Sequence, residues 1–177
     1  TVRAALKSSY SALEEGKADI LGLYMVDQLF AKGEIPDGVL MDNYVTFMAS
    51  IFRSVRFGAS SAHGQANMLR FNYFLERGAF AKDENNGTYR VNQKKMKSAM
   101  NELSALILKL QGDGDLVGVE ALMKQKGNVS PDLQSDLDKL NAAGIPVDVI
   151  FEQLLVDLCL DKKVVNSVLA VVESSVY

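Results

Sequence analysis

The spacing of apolar positions predicts a mainly helical chain that begins with three helices. Apolar residues recur with a largely helical period over Ser11–Ala31, and a lysine and a glycine end that segment. A second helix is predicted from near Asp42 to Phe57, where the apolar residues form one wide face. Ser60 or Ser61 can cap a third helix that reaches Arg77, because a serine oxygen accepts a hydrogen bond from an unpaired backbone N–H.

The middle of the chain predicts a hairpin followed by three more helices. The polar turn Lys82–Gly87 lies between two short β-prone stretches, so a short β-hairpin is expected near 79–91. A fourth helix is predicted from Asn92 to Lys109 or Leu110, where a glycine and aspartate cluster at 112–115 breaks it. Two further helices are expected, one at 116–126 and one that Ser130 and Pro131 open and that ends near residues 143–144.

The last part of the chain gives a weaker pattern. Residues 145–151 are apolar and β-branched, which favours an extended segment. Glu152–Leu160 and Val164–Val172 have the length of helices, although the valine-rich second run is equally typical of a strand. The predicted fold class is therefore mainly α. We expect a helical segment at 1–110 and a mainly helical extension at 111–177.

Composition narrows the classes of protein and partner. The 177 residues are 48% hydrophobic and 23% charged, which is ordinary for a globular domain. The net charge of −3 provides no positive field for DNA or RNA, so no nucleic-acid partner is expected. No uninterrupted apolar run reaches the ~18–20 residues that a spanning helix needs, so no membrane partner is expected either. A lone cysteine, Cys159, cannot form an internal disulfide and fits a reducing compartment, so a cytoplasmic location is predicted.

One candidate for chemistry is a carboxylate pair on the first helix. Glu15 and Asp19 are four residues apart and therefore lie on one face, about one turn from each other. A solvated acidic face partly neutralised by Lys17 explains the pair without any function. A metal-bound carboxylate with a second carboxylate in its outer shell is the alternative.

The other candidate is His63, the chain's single histidine, near the start of the third helix. Asn67 and Arg70 follow at helical spacing on the same polar face. A lone histidine is commonly a surface or structural residue, but an imidazole facing a cleft can also stabilise charge on a reaction intermediate. One histidine does not supply the donor set of a catalytic zinc, so any further ligands lie outside the chain.

Two stretches that contain these candidates resemble the motifs of dipeptidyl peptidase III. Glu14–Asp19 is similar to the family's E-E-C-R-A-E signature, and Ala62–Asn67 is similar to its A-H-M-Q-A-R stretch, in the same order. Asn72–Gly78 is similar to the helix end that follows that histidine. The resemblance covers roughly Leu13 to Gly78 and places residues 1–110 in the zinc-bearing lobe.

The resemblance implies a role for each matched residue. Glu15 is expected to be the third zinc ligand, and Glu14 and Asp19 to be outer-shell groups around the metal. His63 is expected to assist substrate binding and transition-state stabilisation, and Asn67 occupies a substrate-binding position. The two zinc-binding histidines and the glutamate that activates water belong to an H-E-x-x-G-H motif, which would precede the start of this chain.

These implications define the expected function and its alternative. The whole protein is expected to be a zinc peptidase that releases dipeptides from peptide N-termini, with a peptide substrate and the remaining N-terminal part as partners. The chain alone is expected to be a fragment with an incomplete zinc site and no activity. The positions that depart from the motifs include Gly16, Lys17, Asp19 and Asn67. These departures leave open a divergent member, or a noncatalytic helical module that keeps the fold.

Overall fold

A computed structural model describes residues 1–56 and 58–144, and Thr1–Asn141 form one compact unit. The described chain contains seven α-helices and one antiparallel hairpin, which confirms the mainly α prediction. The elements in chain order are α1 (Val2–Leu6), α2 (Tyr10–Ala31), α3 (Leu40–Val55), α4 (Ala62–Glu76), β1 (Phe80–Lys82), β2 (Tyr89–Val91), α5 (Gln93–Asp113), α6 (Leu116–Lys126) and α7 (Pro131–Ala142).

The helix boundaries follow the capping signals with two differences. Helix α5 continues through Gly112 and ends at Gly114, whose φ of 64° is the left-handed conformation that ends helices. A glycine inside a helix costs only about 1 kcal/mol, so Gly112 alone does not end it. Helix α1, which was not predicted, is only 5 residues long and is capped by the Thr1 hydroxyl. The predicted elements at 145–151, 152–160 and 164–172, and Cys159, lie outside the described residues.

Helix α4 lies at the centre of the core. Residues 66–71 are all buried, and α2, α3, α5 and α6 pack around this helix. A helix that is buried on every side is a core helix rather than an amphipathic surface helix. Any polar side chain on α4 that points inward is therefore held tightly. No helix in the described part of the chain is long and apolar enough to cross a membrane.

The contact between α2 and α4 is close because small residues face each other. A β-carbon built on Gly16 would lie 3.7 Å from Cβ of Ala66 and 3.9 Å from Cδ1 of Ile107 on α5. Small side chains let two helix backbones approach, and this contact lies next to Glu15 in sequence. The packing of the core therefore fixes the positions of the carboxylates on either side of Gly16 along α2.

A buried carboxylate joins α2, α3 and α5. Asp27 is 1% exposed, accepts a hydrogen bond from the buried Tyr44 hydroxyl, and pairs with Lys97 at 2.6 Å. Burial and the neighbouring Asp27 charge raise the pKa of Tyr44, so its hydroxyl remains protonated and donates. A buried charge is tolerated only where it is paired and hydrogen-bonded, as it is here.

We expect Tyr44→Phe to lower the free energy of unfolding by about 1–3 kcal/mol, because Asp27 would lose a buried donor. Chemical denaturation monitored by circular dichroism measures this. The control is Tyr24→Phe on α2, where a partly buried ring packs against the core. Its loss of a hydroxyl is expected to cost less than about 0.5 kcal/mol. Equal losses in the two variants would contradict the assignment of a stabilising role to the buried network.

A second carboxylate attaches the hairpin to α7. Asp136 accepts hydrogen bonds from Lys82 on β1 at 2.5 Å, from Tyr89 on β2 at 2.8 Å and from Lys139 at 2.9 Å. Burial by itself raises the pKa of Asp136, but these three donors outweigh burial and bring the pKa down to about 2. The ionised carboxylate therefore stabilises the folded chain.

The stability that Asp136 contributes is expected to depend on pH. Its pKa of about 2 in the folded chain lies below the ~3.9 of an unfolded aspartate, which corresponds to about 2–3 kcal/mol at neutral pH. This contribution is present above about pH 4 and is lost as the pH falls through 2. Urea unfolding of Asp136→Asn and of the unchanged chain should differ most at pH 5–7, with a gap that closes towards pH 2. Asp138→Asn on the same helix is the control, and a gap that persists at pH 2 would contradict the account.

Candidate metal-ligand and histidine site

The start of α4 positions His63. The Ser61 hydroxyl accepts a hydrogen bond from the Gly64 backbone N–H at 3.0 Å, which confirms one of the two predicted caps. The chain folds back so closely before the helix that a β-carbon on Gly64 would lie 2.7 Å from Cα of Ala59. Glycine at position 64 therefore permits this approach, and the first turn of α4 presents His63 towards α2.

Two carboxylates of α2 bracket the His63 ring. Nδ1 of His63 lies 3.1 Å from Oε2 of Glu15, which is a close polar contact. Nε2 lies 3.8 Å from Oδ2 of Asp19, which is too long for a hydrogen bond. The His63 and Glu15 side chains are 55% and 47% exposed, so both can be reached from solvent.

Asp19 forms an ion pair with a buried arginine. Nη2 of Arg70 lies 2.7 Å from Oδ2 of Asp19, and the Arg70 side chain is only 2% exposed. Nη2 also donates to Oδ1 of Asn67, and Nδ2 of Asn67 donates to the Ser54 hydroxyl at 2.6 Å. A chain of polar contacts therefore runs from α3 through α4 to the carboxylate beside His63.

Glu14 has a different environment from Glu15. One Glu14 oxygen pairs with Lys17 at 2.6 Å, and the other accepts a hydrogen bond from Gln111 on α5. The hydrogen bond from Lys17 is the main cause that lowers the pKa of Glu14, and it outweighs the opposite effect of burial. Glu14 thus links α2 to α5, whereas Glu15 is turned towards His63.

The donor chemistry of the described residues can be compared with that of a zinc site. They contain no group of three or more histidine, cysteine, aspartate or glutamate side chains arranged to hold a metal ion. Asp19 is engaged by Arg70, while the half-exposed carboxylate of Glu15 has the chemistry of a zinc ligand. Glu15 therefore fits one ligand position of a catalytic zinc, and such a site takes three protein ligands.

The structure brings together most of the residues that the sequence singled out. Glu15, Asp19 and His63 meet on one exposed face between α2 and α4. Asn67 is 3% exposed and bonded inside the fold, so its contact with substrate stays a prediction. Sequence reasoning placed Arg70 on the same face of α4 but gave it no role. Its spacing of three from Asn67 and seven from His63 was the available signal.

Comparison with solved structures identifies the class of fold. The chain is 36% identical to dipeptidyl peptidase III of Caldithrix abyssi, with a TM-score of 0.78 over 85% of this chain and 29% of that chain. It is 41% identical to dipeptidyl-peptidase III of Corallococcus sp. strain EGB, with a TM-score of 0.78 over 85% of this chain and 27% of that one. The described residues therefore have the fold of one segment of dipeptidyl peptidase III, and the resemblance expected from two short motifs is confirmed over most of the chain.

The sequence comparisons add one curated relative. The chain is 39% identical over 149 residues to Nudix hydrolase 3 of Arabidopsis thaliana, which covers 84% of this chain and 19% of that protein. No protein-family model matches the sequence. The chain spans less than a third of each protein it matches.

Two glycines near the site provide a matched test of local packing. Gly64→Ala places a β-carbon against the backbone of Ala59, and we expect it to cost about 1–3 kcal/mol and to shift the first turn of α4. Gly16→Ala makes only ordinary contacts with Ala66, and alanine is the better helix former, so it should raise stability by about 0.5–1 kcal/mol. Denaturation curves of both variants check this, and a destabilised Gly16→Ala would show that α2 and α4 pack more tightly than described.

Proposed function

We propose that this chain is part of a zinc-dependent peptidase that releases dipeptides from peptide N-termini, with Glu15 as a metal ligand and His63 as a catalytic residue. The observation that carries the proposal is the 3.1 Å contact between His63 Nδ1 and Glu15 Oε2. Glu15 and His63, which are 48 positions apart in the sequence and belong to different motifs, meet at this contact. The similarity to two dipeptidyl peptidase III structures supports the peptidase assignment.

The two nitrogens of His63 are suited to different tasks. With Nδ1 3.1 Å from Oε2 of Glu15, the imidazole can orient a carboxylate that would bind the metal. Nε2 is the nitrogen available to substrate, where an N–H can donate to the developing negative charge of a tetrahedral intermediate. Zinc, when bound, polarises the carbonyl that is attacked and lowers the pKa of bound water.

The carboxylates supporting this arrangement have separate roles in the proposal. Glu14 is fixed by Lys17 and Gln111 and holds the first turns of α2 against α5. Asp19 supplies negative charge near Nε2 of His63 without a direct hydrogen bond. Peptide substrate and the rest of the protein, which would carry the other metal ligands and the general base, are the proposed partners.

The noncatalytic alternative has one observation in its favour. Asn67 stands where the family motif has arginine, and its amide is turned into the fold towards Ser54. A protein that had lost a substrate contact here would keep the helical fold and could serve as a binding module. Metal content and turnover of the complete protein distinguish the two functions.

We expect the complete protein to contain one zinc and to release dipeptides from unblocked peptides, as measured by elemental analysis and mass spectrometry. Glu15→Ala should weaken zinc binding by more than the roughly 10- to 100-fold that loss of an outer-shell partner costs. His63→Ala should retain zinc but lower kcat/KM by about 100-fold or more. Glu102→Ala, at an exposed position on α5, is the control. Zinc binding and turnover that survive Glu15→Ala would contradict the proposal, and a folded protein with neither would favour the binding module.

A further inference from the structure

Arg70 is a buried cation beside the candidate site. Its guanidinium lies on the inner side of α4, 2% exposed, and reaches Asp19 at 2.7 Å. The Asp19 side chain itself is 35% exposed. The ion pair therefore joins a buried cation to a carboxylate at the surface, directly beside the edge of the His63 ring that carries Nε2.

Keeping this cation inside the core is costly. Burial is the main influence on the pKa of Arg70 and lowers it, while the charge of Asp19 and its hydrogen bond act in the opposite direction. Nε and Nη1 of Arg70 are buried and have no hydrogen-bond partner among the described residues. The ring of Phe47, 5.5 Å from the guanidinium carbon, compensates only part of this. A packed apolar side chain would fill the same volume without that cost, so stability alone is a weak reason for an arginine here.

Asn67 keeps the guanidinium in one position. Its carbonyl oxygen accepts from the Nη2 atom that also pairs with Asp19, and its amide nitrogen donates to Ser54 on α3. This locks both the side chain and the direction in which its charge points. The family motif has a cation at position 67, whereas here the cation lies three residues later, on the same face of α4.

We propose that Arg70 is a positioning residue, which holds the Asp19 carboxylate beside Nε2 of His63 and thereby sets the orientation of the imidazole between Asp19 and Glu15. The catalytic meaning of this role rests on the proposed function, but the positioning itself does not. Arg70 acts on His63 only through Asp19, because its own nitrogens contact Asp19 and Asn67 rather than the ring. Removal of Asp19 should therefore abolish any effect of Arg70 on His63.

The single histidine allows a direct measurement. In the 177-residue chain without a histidine tag, the imidazole ¹H–¹³C and ¹H–¹⁵N signals come from His63 alone. We expect Arg70→Met, Asp19→Asn and the double variant each to move these signals away from those of the unchanged chain. The double variant should match Asp19→Asn, since the effect passes through Asp19.

Arg77→Met is the matched control, because Arg77 is the cap residue of the same helix and pairs with Glu102 at the surface. It should leave the His63 signals unchanged. Unchanged signals in a folded Arg70→Met chain would overturn the proposal, and so would an Arg70→Met effect that persists in full with Asn at position 19. If Arg70→Met does not fold, Asp19→Asn decides, and His63 signals that ignore this change would also overturn the proposal.

Kinetics of the complete protein separate this inference from the proposed function. If the protein is a peptidase, Arg70→Met should lower kcat about tenfold with little change in KM, and Arg70→Lys should restore part of the loss. A rise in KM without a change in kcat would overturn the catalytic meaning of the role. Signals that couple as described in a protein without peptidase activity would support the positioning role while contradicting the proposed function.

Discussion

The close contact of α2 with α4 is the constraint on which the candidate site depends. Gly16 and Ala66 let the two helices approach, and the residues on either side of Gly16 are then fixed relative to the first turns of α4. The packing of α2 against α4 places Glu15 and Asp19 beside His63 and Arg70. The same packing that buries α4 therefore also positions the polar residues of the candidate site.

Charge inside this fold is handled by pairing rather than by exclusion. Asp27, Asp136 and Arg70 are all buried, and each meets at least one partner of opposite charge. Asp27 joins α2 to α3 and α5, and Asp136 joins α7 to the hairpin. Arg70 differs because its partner, Asp19, belongs to the exposed face beside His63, and so its charge acts at the surface of α2 and α4 rather than within the core.

Much of this architecture could be predicted from local signals. Helical periodicity, the Ser61 and Asn92 caps and the turn before Thr88 are properties of neighbouring residues, and the elements they predicted are confirmed. Helix α1 was not predicted, because five residues are too few to show a helical period. Gly112 does not end α5, since a helix that packs along its length tolerates one glycine.

The site was harder to predict than the fold because its parts are distant in sequence. Periodicity put Glu15 and Asp19 on one face and His63 on another helix, but it carried no information that the two faces meet. The family resemblance supplied that link, and the structure then revealed Arg70, whose role depends on tertiary contacts. A sequence pattern cannot show that an arginine is 2% exposed and points at a particular carboxylate.

The central claim is that Glu15 ligates a metal beside His63 in a peptidase fold. A crystal structure of the complete protein, recorded at the zinc absorption edge, tests it most directly. We expect an anomalous peak about 2 Å from a Glu15 carboxylate oxygen, with the His63 ring next to that carboxylate. A zinc ion bound elsewhere, or a Glu15 that still faces His63 with zinc held by other residues, would contradict it.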